Sequence, residues 1–261
     1  MYDENLAWRI ECACFNAWPA LHEAVIDGWL LRFAKGMTRR ANSANPLRAE
    51  RNDSEAVISR LEGEYRKQKL PVYFRIPSII GPTMPSRLAQ LGYKAEGESH
   101  ALYADVGDVH LRADAEVAVA IRPDEEWLSA IARLQGHSPP AKVVYRQIIS
   151  SIKVPAAFAT LRHEGMIVSL AFGTIHDDLL CVESVITDPA FRGRGLARRM
   201  LGGLTAYAQP QITGVCLQVQ ADNTAGKRLY GNLGLRELYR YHYQAKPFDK
   251  AADTSPFSPQ R

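Results

Sequence analysis

The chain has 261 residues, 46% hydrophobic and 23% charged, with 32 Lys and Arg against 28 Asp and Glu for a formal net charge of +4. Such a length allows one large domain or two modest ones, and the composition excludes collagen, coiled coil and wholesale disorder. So small a positive surplus makes no nucleic-acid footprint, and any functional positive charge has to be local.

No apolar run approaches the roughly 18 residues of a membrane helix. The opening MYDENLAWRIECAC also lacks a charged segment followed by a continuous hydrophobic stretch. A cytoplasmic protein with no membrane partner is therefore expected. Cys12 and Cys14 form a lone CxC, while Cys181 and Cys216 stand singly in apolar runs with no His or Cys at ligand spacing. Buried thiols in a reducing compartment, and no metal site, follow.

In chain order, GWLLRFA and TRRANSA resemble strands, NDSEAVISRLEGEYRKQ a helix, PVYFRI a strand, and PSRLAQLGY a helix stopped by glycine. ADVGDVHLRADAEV is polar and acidic and reads as a linker, followed by AVAIRP as a first strand of a second part. PDEEWLSAIARL and KVVYRQIISSI predict two helices separated by GHSPP, placed to border a substrate cleft. AAFATLRHEGMIVSLAFGTIHDDLLCVESVITDP contains three apolar or alternating runs divided by HEG and HDD, an antiparallel meander. Leu196, Met200, Leu204 and Ala208 then recur every four residues on one helical face. Gly202 and Gly203 inside that helix each cost about 1 kcal/mol relative to Ala, so packing has to hold it. VCLQVQA reads as a strand, AGKRLYGNLGL as a short helix stopped at Gly234, and RELYRYHYQA as a final strand. The tail KPFDKAADTSPFSPQR is polar and proline-punctuated and is assigned no fold.

The two halves list their elements in the same order. Pro46 to Val72 and Pro189 to Val215 both span 26 positions, and the distances on to Gly92 and Gly234 are 46 and 45. AQLGYKAEGESHALYA and GNLGLRELYRYHYQA share a helix, a Leu-Gly stop and a final strand. A tandem repeat of one αβ unit accounts for this, although coincidence is the competing explanation.

The sharpest chemical signal is DPAFRGRGLARRML. Gly193 and Gly195 fall between a strand and a helix, where small residues let backbone amides approach an anion and the helix N-terminus adds partial positive charge. A pyrophosphate would accept N–H bonds from Arg192, Gly193, Arg194, Gly195, Leu196 and Ala197. Arg192, Arg194, Arg198 and Arg199 add full charges, unless they form only a solvated basic face. GxxxxGK[ST] is absent, and the antiparallel meander argues against a dinucleotide-binding βαβ unit.

Residues 178 to 243 resemble the cofactor half of the GNAT acetyltransferase superfamily, whose pyrophosphate loop reads Q/R-x-x-G-x-G/A. RGRGLA matches every fixed position, and ADNTAGKRLYGNLGL is similar to the family's next motif. Together they cover about a quarter of the chain; residues 117 to 177 fit the element order only weakly. The resemblance implies a mixed α+β fold: two tandem GNAT-like domains, each a central, mostly antiparallel sheet flanked by helices. It also implies acetyl-CoA as cofactor and acetyl transfer to an amine. VESVIT and VCLQVQA would splay into a wedge for the pantetheine arm, with Val185 and Thr187 presenting backbone groups. Asn223 would bond that arm or a buried water.

Aminolysis of a thioester needs a neutral amine, an oxyanion donor and a proton for the leaving thiolate. The resemblance makes Tyr230 the acid, the alternative being a ring packed on the strand, and a backbone N–H near Val185 the oxyanion donor. Glu183 lies in an apolar strand where period two would place it on one face with Val185 and Thr187. A role as base, in substrate recognition, or through water stays open, because the family's strand glutamate often sits at the position of Cys181. His242 and Tyr241 would line the acceptor side, or be structural.

Copy one carries NPLRAERNDSEAVI at the place of the loop, with no glycine and with Glu50, Asp53 and Glu55, which would repel a pyrophosphate. Arg39, Arg40, Asn42 and Ser43 would bind an acceptor's carboxylate or an adjacent domain, or form a polar strand end with an Asx turn. The reading is a degenerate domain over 1–106, a linker over 107–116, a catalytic domain over 117–247 and a tail over 248–261. The expected activity is N-acetylation of a small-molecule amine, such as an amino acid, amine metabolite or antibiotic, by a monomer or homodimer. Acetylation of a protein lysine or N-terminus, and a non-catalytic acyl-CoA-binding regulator, are the alternatives.

Overall fold

The computed structural model describes residues 4–246, so the 248–261 tail lies outside the described residues. In chain order the elements are α1 (Glu4–Ala17), β1 (His22–Ile26), β2 (Trp29–Phe33), β3 (Ala44–Pro46), α2 (Glu55–Lys67), β4 (Tyr73–Pro77), α3 (Thr83–Gln90) and β5 (Lys94–Asp105). There follow β6 (Ala118–Ala120), α4 (Glu125–Leu134), α5 (Pro139–Ser150), β7 (Ala156–His163), β8 (Met166–His176), β9 (Leu179–Thr187), α6 (Leu196–Ala208), β10 (Gly214–Gln220), α7 (Thr224–Asn232) and β11 (Arg236–Ala245). Among the described residues no helix is long and apolar enough to cross a membrane.

The elements gather into two compact units, each mixing helices with a mostly antiparallel sheet. The first holds the residues through Trp18, Ala101–Lys142 and Ile152–Leu238. Its strands run β5, β10, β9, β8, β7, β6, with β6 to β9 antiparallel and β9 parallel to β10. The HEG and HDD turns are two-residue hairpins in which both central residues have positive φ, at Glu164–Gly165 and Asp177–Asp178. Mirror-image turns of this kind match the twist of the flanking strands. On one face, α6 packs Leu196, Met200, Leu201 and Leu204 into a core with Ala171, Leu180 and Val182. On the other, Trp127 of α4 meets Phe158 and Phe172 edge-on, and Trp18, just past α1, stacks on Phe172.

The two glycines inside α6 have a steric reason. A Cβ on Gly202 would collide with the carbonyl oxygen of Arg112, and one on Gly203 with the side chain of Val117. The predicted linker is thus a strap against the helix, held further by His110 N–H donating to the Leu233 carbonyl at 2.9 Å.

The second unit holds Pro19–His100, Val143–Ser151 and the residues from Tyr239 on. Its strands run β1, β2, β3, β4, β11, around a core of Trp29, Tyr65 and Phe74. TRRANSA is not a strand. It forms a 3-10 turn at Arg39–Ala41 and then the short β3, because the buried Asn42 side chain organises the bend. Its Oδ1 accepts from Ala34 N and Gly36 N at 2.8 and 2.9 Å, and its Nδ2 donates to Met37 O and Thr38 O at 2.8 Å each. An amide with every bond filled has nothing left for an acceptor's carboxylate.

The runs β1, β2, β3, α2, β4, α3, β5 and β7, β8, β9, α6, β10, α7, β11 list strands and helices in the same order, and the two compact units do not follow the 1–106 and 117–247 division. The end of β5, from copy one, lies beside β10, while most of β11, from copy two, pairs antiparallel with β4, Tyr241 opposite Pro77. Helix α1 belongs with the first unit and most of α5 with the second. Sequence repeats show which segments are equivalent and leave open which neighbours they pair with.

Candidate active site

The site is built where β9 leaves β10. Their parallel register runs from Leu179 opposite Gly214 to Val182 opposite Leu217 and stops there. The remainder of each strand, Glu183–Thr187 and 218–220, has no partner in the other, which opens the predicted wedge. Its cause is in β9. Leu170 of β8 faces Ile186 and Phe172 faces Glu183, so β9 carries one extra residue across this interval. Ser184 absorbs it with φ 54, the left-handed conformation of a β-bulge.

That bulge corrects the expected orientation of Glu183. Period two fails across it: Glu183 lies on the face of Phe172 and Cys181, whereas Thr187 pairs with Ser169 on the opposite face, their hydroxyls 2.9 Å apart. Val185 packs against the core that α6 covers. Glu183 is therefore not on one face with Val185 and Thr187. It is buried on the side where α1 sits, and its charge acts on Tyr230.

Thr187 leads into Asp188, whose side chain caps the short turn Pro189–Phe191 by accepting from Ala190 N at 3.1 Å. Asp188 is also paired with Arg133 at 2.8 Å, which holds its carboxyl below the usual range. The loop follows. Gly193 and Gly195 have φ 77 and 74, and Gly195 is the N-cap of α6 without any side-chain cap. The Arg192 N–H, expected among the pyrophosphate donors, instead donates to Pro189 O at 3.4 Å, closing the short turn, whereas among the described residues the N–H groups of Gly193, Arg194, Gly195, Leu196 and Ala197 have no protein acceptor. Nothing lies within 4 Å of where a Cβ would stand on either glycine. A row of uncapped amides in an open cradle fits a pyrophosphate.

The arginines divide. Arg194 lies over the Phe191 ring, 5.0 Å from its centroid, and Arg192 Nε donates to Thr187 O at 3.3 Å. That carbonyl is therefore engaged by the chain itself. Arg199 is committed to Asp114 at 2.6 Å and to Glu116, and Arg198 Nη2 donates to His110 O at 2.6 Å. The four therefore do not form one field around the loop: Arg199 is neutralised by carboxylates, and Arg192 and Arg198 each donate to a backbone carbonyl.

Tyr230 sits on α7, 8% exposed, with no hydrogen-bond partner for its hydroxyl among the described residues. Burial raises its pKa first and Glu183 second, to about 12. It is thus a proton donor at neutral pH. Asn223 caps α7, its Oδ1 accepting from Gly226 N at 2.8 Å, so only its Nδ2 is available to a ligand. Tyr241 and His242 lie in the second unit: His242 pairs opposite Ile76, and the buried Arg75 lies 3.7 Å from the Tyr241 ring centroid. Burial lowers the pKa of His242.

In copy one the matching helix start is closed by the chain. Ser54 caps α2 by accepting from Val57 N at 3.4 Å, and Asp53 is paired with Arg51 at 2.9 Å.

Residues 8–244 match the family model described as "Probable histone acetyltransferase Rv0428c C-terminal". The chain belongs to the GNAT family of N-acetyltransferases. It is 25% identical over 245 residues to the uncharacterized N-acetyltransferase YobR of Bacillus subtilis, covering 91% of this chain and 98% of that one. Over 59 residues it is 44% identical to the L-2,4-diaminobutyric acid acetyltransferase of Streptomyces avermitilis, 22% of this chain and 33% of that protein. In fold it is similar to a GCN5-related N-acetyltransferase from Kribbella flavida, with a TM-score of 0.70, 16% identity, and 96% and 97% of the two chains covered.

In this GNAT chain the sequence reading passed over α1. Ala7, Ile10, Cys14 and Ala17 recur at helical spacing and are all buried, a signal that was present. The helix brings Cys14 to Cys181, Sγ to Sγ 3.5 Å, and these two with Cys216 are buried free thiols, as expected, whereas Cys12 is exposed. Glu11, wholly buried on α1, acts with Glu183 on the Cys14 thiol, so a second carboxylate stands near the first. No group of three or more His, Cys, Asp or Glu is arranged to hold a metal among the described residues.

Proposed function

We propose that this GNAT enzyme uses acetyl-CoA to acetylate the amine of a small molecule, with the first unit as the catalytic one. The observation that carries the reading is the row of uncapped amides from Gly193 to Ala197 at the open end of the β9–β10 wedge. Acetyl-CoA supplies the activated carbonyl and the sulfur leaving group. The loop amides hold its pyrophosphate, and the unpaired edge of β9 beyond Val182 offers backbone groups to the pantetheine arm. The Tyr230 hydroxyl, kept protonated by burial and by Glu183, gives its proton to the departing sulfur. Glu183 takes part from the α1 face, attracting the amine as a cation or taking its proton through water. Asn223 Nδ2 is available to the arm.

Support for a small acceptor comes from the diaminobutyric acid acetyltransferase, whose likeness covers 59 residues, 22% of this chain. The histone acetyltransferase in the family description favours a second reading, a protein amine. Thiol release from acetyl-CoA, measured against a panel of amines, amino acids and lysine peptides with Gly195→Glu as control, decides between them. Acceleration by free amines and not by peptides supports the first reading, the converse the second. Release no faster than the control with every acceptor rejects both.

A further inference from the structure

Three thiols meet where α1 packs on β9 and β10, and acetyl transfer as derived above uses none of them. Cys14 of α1 brings its Sγ to 3.5 Å from that of Cys181, 167 positions further along the chain. Cys181 lies opposite Cys216 in the parallel β9–β10 register, and all three are buried and free. Helix, strands and thiols belong to the first unit. We infer that Cys14 and Cys181 form an oxidation site, at which a hydroperoxide joins them in a reversible disulfide that ties α1 to β9 beside Glu183.

The three sulfurs are not equivalent. Hydrogen bonds from Cys181 first and Cys216 second lower the pKa of Cys14, against burial and the charges of Glu11 and Glu183. The bond to Cys14 is in turn the first cause that raises Cys181 and Cys216. Cys14 is thus the thiolate of the group, and a thiolate is the nucleophile toward a peroxide. It is also the most accessible, 5% exposed against 0% for the other two. Attack by Cys14 Sγ on hydrogen peroxide breaks the O–O bond and leaves a sulfenic acid on Cys14. The hydroxide released takes up the proton that the thiol had given up and becomes water. Cys181 Sγ then attacks the oxidised sulfur, the S–S bond forms, and the sulfenic hydroxyl departs with the Cys181 proton as a second water. Two thiols are oxidised and one peroxide is reduced. Thr174, opposite Cys181 in β8 and wholly buried, has a hydroxyl with no hydrogen-bond partner among the described residues, a donor on that face for the sulfenic oxygen.

Bond formation draws helix and strand together. A disulfide is about 2.05 Å long, so the sulfurs have to approach by about 1.5 Å. Glu183 follows Cys181 by two positions on the same face of β9, just ahead of the bulge at Ser184. A misplacement of about 1 Å at reacting groups costs about 10²-fold in rate. The effect on turnover rests on the acetyl-CoA reading above, whereas the chemistry of the thiol pair does not. Cys12, exposed on the same helix with its pKa raised by partial burial, is the internal control.

The full chain is treated with hydrogen peroxide, digested without reductant, and its peptides are mapped by mass spectrometry. A linked Cys14–Cys181 peptide pair, two hydrogens lighter than the separate peptides and lost on adding dithiothreitol, is expected. In parallel, kcat with acetyl-CoA and an amine accepted by the reduced enzyme should fall at least about tenfold and return with dithiothreitol. Cys14→Ala and Cys14→Ser should form no link and keep their turnover through the treatment, while Cys12→Ser responds as the wild type does. Urea unfolding checks that these variants fold, and where a Cys14 variant does not, Cys181→Ala repeats the comparison from the strand. Thiols at Cys14 and Cys181 that stay intact after Cys12 has oxidised, a link from Cys14 to Cys216, or sulfinic acid in place of a disulfide each overturn the oxidation site. A link that leaves turnover unchanged overturns its effect on the enzyme, as does an equal loss in the Cys14 variants. If the reduced protein turns over no acceptor, the acetyl-CoA reading fails and takes the effect on turnover with it, while the peptide map still decides the disulfide.

Discussion

Glu183 on β9 and Tyr230 on α7 are electrostatically linked: the carboxylate adds to burial in raising the phenol to about 12. The two come from motifs 47 positions apart in the chain. The bulge at Ser184 decides which face of β9 the carboxylate occupies.

Removing that hydroxyl separates binding from chemistry. Tyr230→Phe is expected to lower kcat by about 10²- to 10³-fold, the range of a lost general acid, with the coenzyme A Kd from calorimetry nearly unchanged. An unaltered kcat would make Tyr230 a packing residue and favour a non-catalytic acyl-CoA binder.

The same residue sets a pH dependence. Its folded pKa lies above the ordinary value near 10, so its contribution to stability is whole below pH 10 and is lost as pH rises toward 12. Between those limits the wild type should lose up to about 2 kcal/mol relative to Tyr230→Phe, measured by urea unfolding at stepped alkaline pH.

Gly195 tests the cradle through the backbone alone. Its φ of 74 costs a non-glycine residue about 1 to 2 kcal/mol, although no atom stands in the way of a Cβ. Gly195→Ala is expected to weaken coenzyme A binding at least tenfold and to lower Tm by a few degrees, both from calorimetry.

Helical glycines should respond with opposite signs. Gly63 of α2 has nothing within 4 Å of its Cβ position, so Gly63→Ala gains about 0.5 to 1 kcal/mol. Gly202→Ala pushes on the Arg112 carbonyl and loses about 1 to 3 kcal/mol by overpacking. Chemical denaturation of both reads the difference directly.

Asn42 is structural, with four backbone bonds and 3% exposure. Asn42→Ala strands two N–H groups and two carbonyls and should cost about 2 to 4 kcal/mol in urea melts, leaving the coenzyme A Kd as it was.

Local rules carried much of the reading. The hairpins at HEG and HDD, the α6 periodicity, the Gly234 stop with φ 97, and the loop before α6 all follow from turn chemistry and spacing within a few residues. What escaped involved partners distant in sequence. The orientation of Glu183 depends on one inserted residue in β9 relative to β8, which alternation along β9 cannot register. Arg198 and Arg199 read as loop charges until the strap from His110 to Glu116 claims them. The pairs Gly202–Arg112 and Gly203–Val117 likewise appear only once the strap is placed. Helix α1 was legible from its periodicity; its contact with β9 through Cys14 and Cys181 was not.

The crossed membership of β5 and β11 has a genetic consequence. A gene cut between the repeats would yield two fragments, each deprived of a strand its own sheet uses and supplied with one it does not. Neither half is then free to be lost, shuffled or replaced by itself. The N-terminal segment, which has no glycine loop, thereby contributes the end of a strand to the unit that carries one.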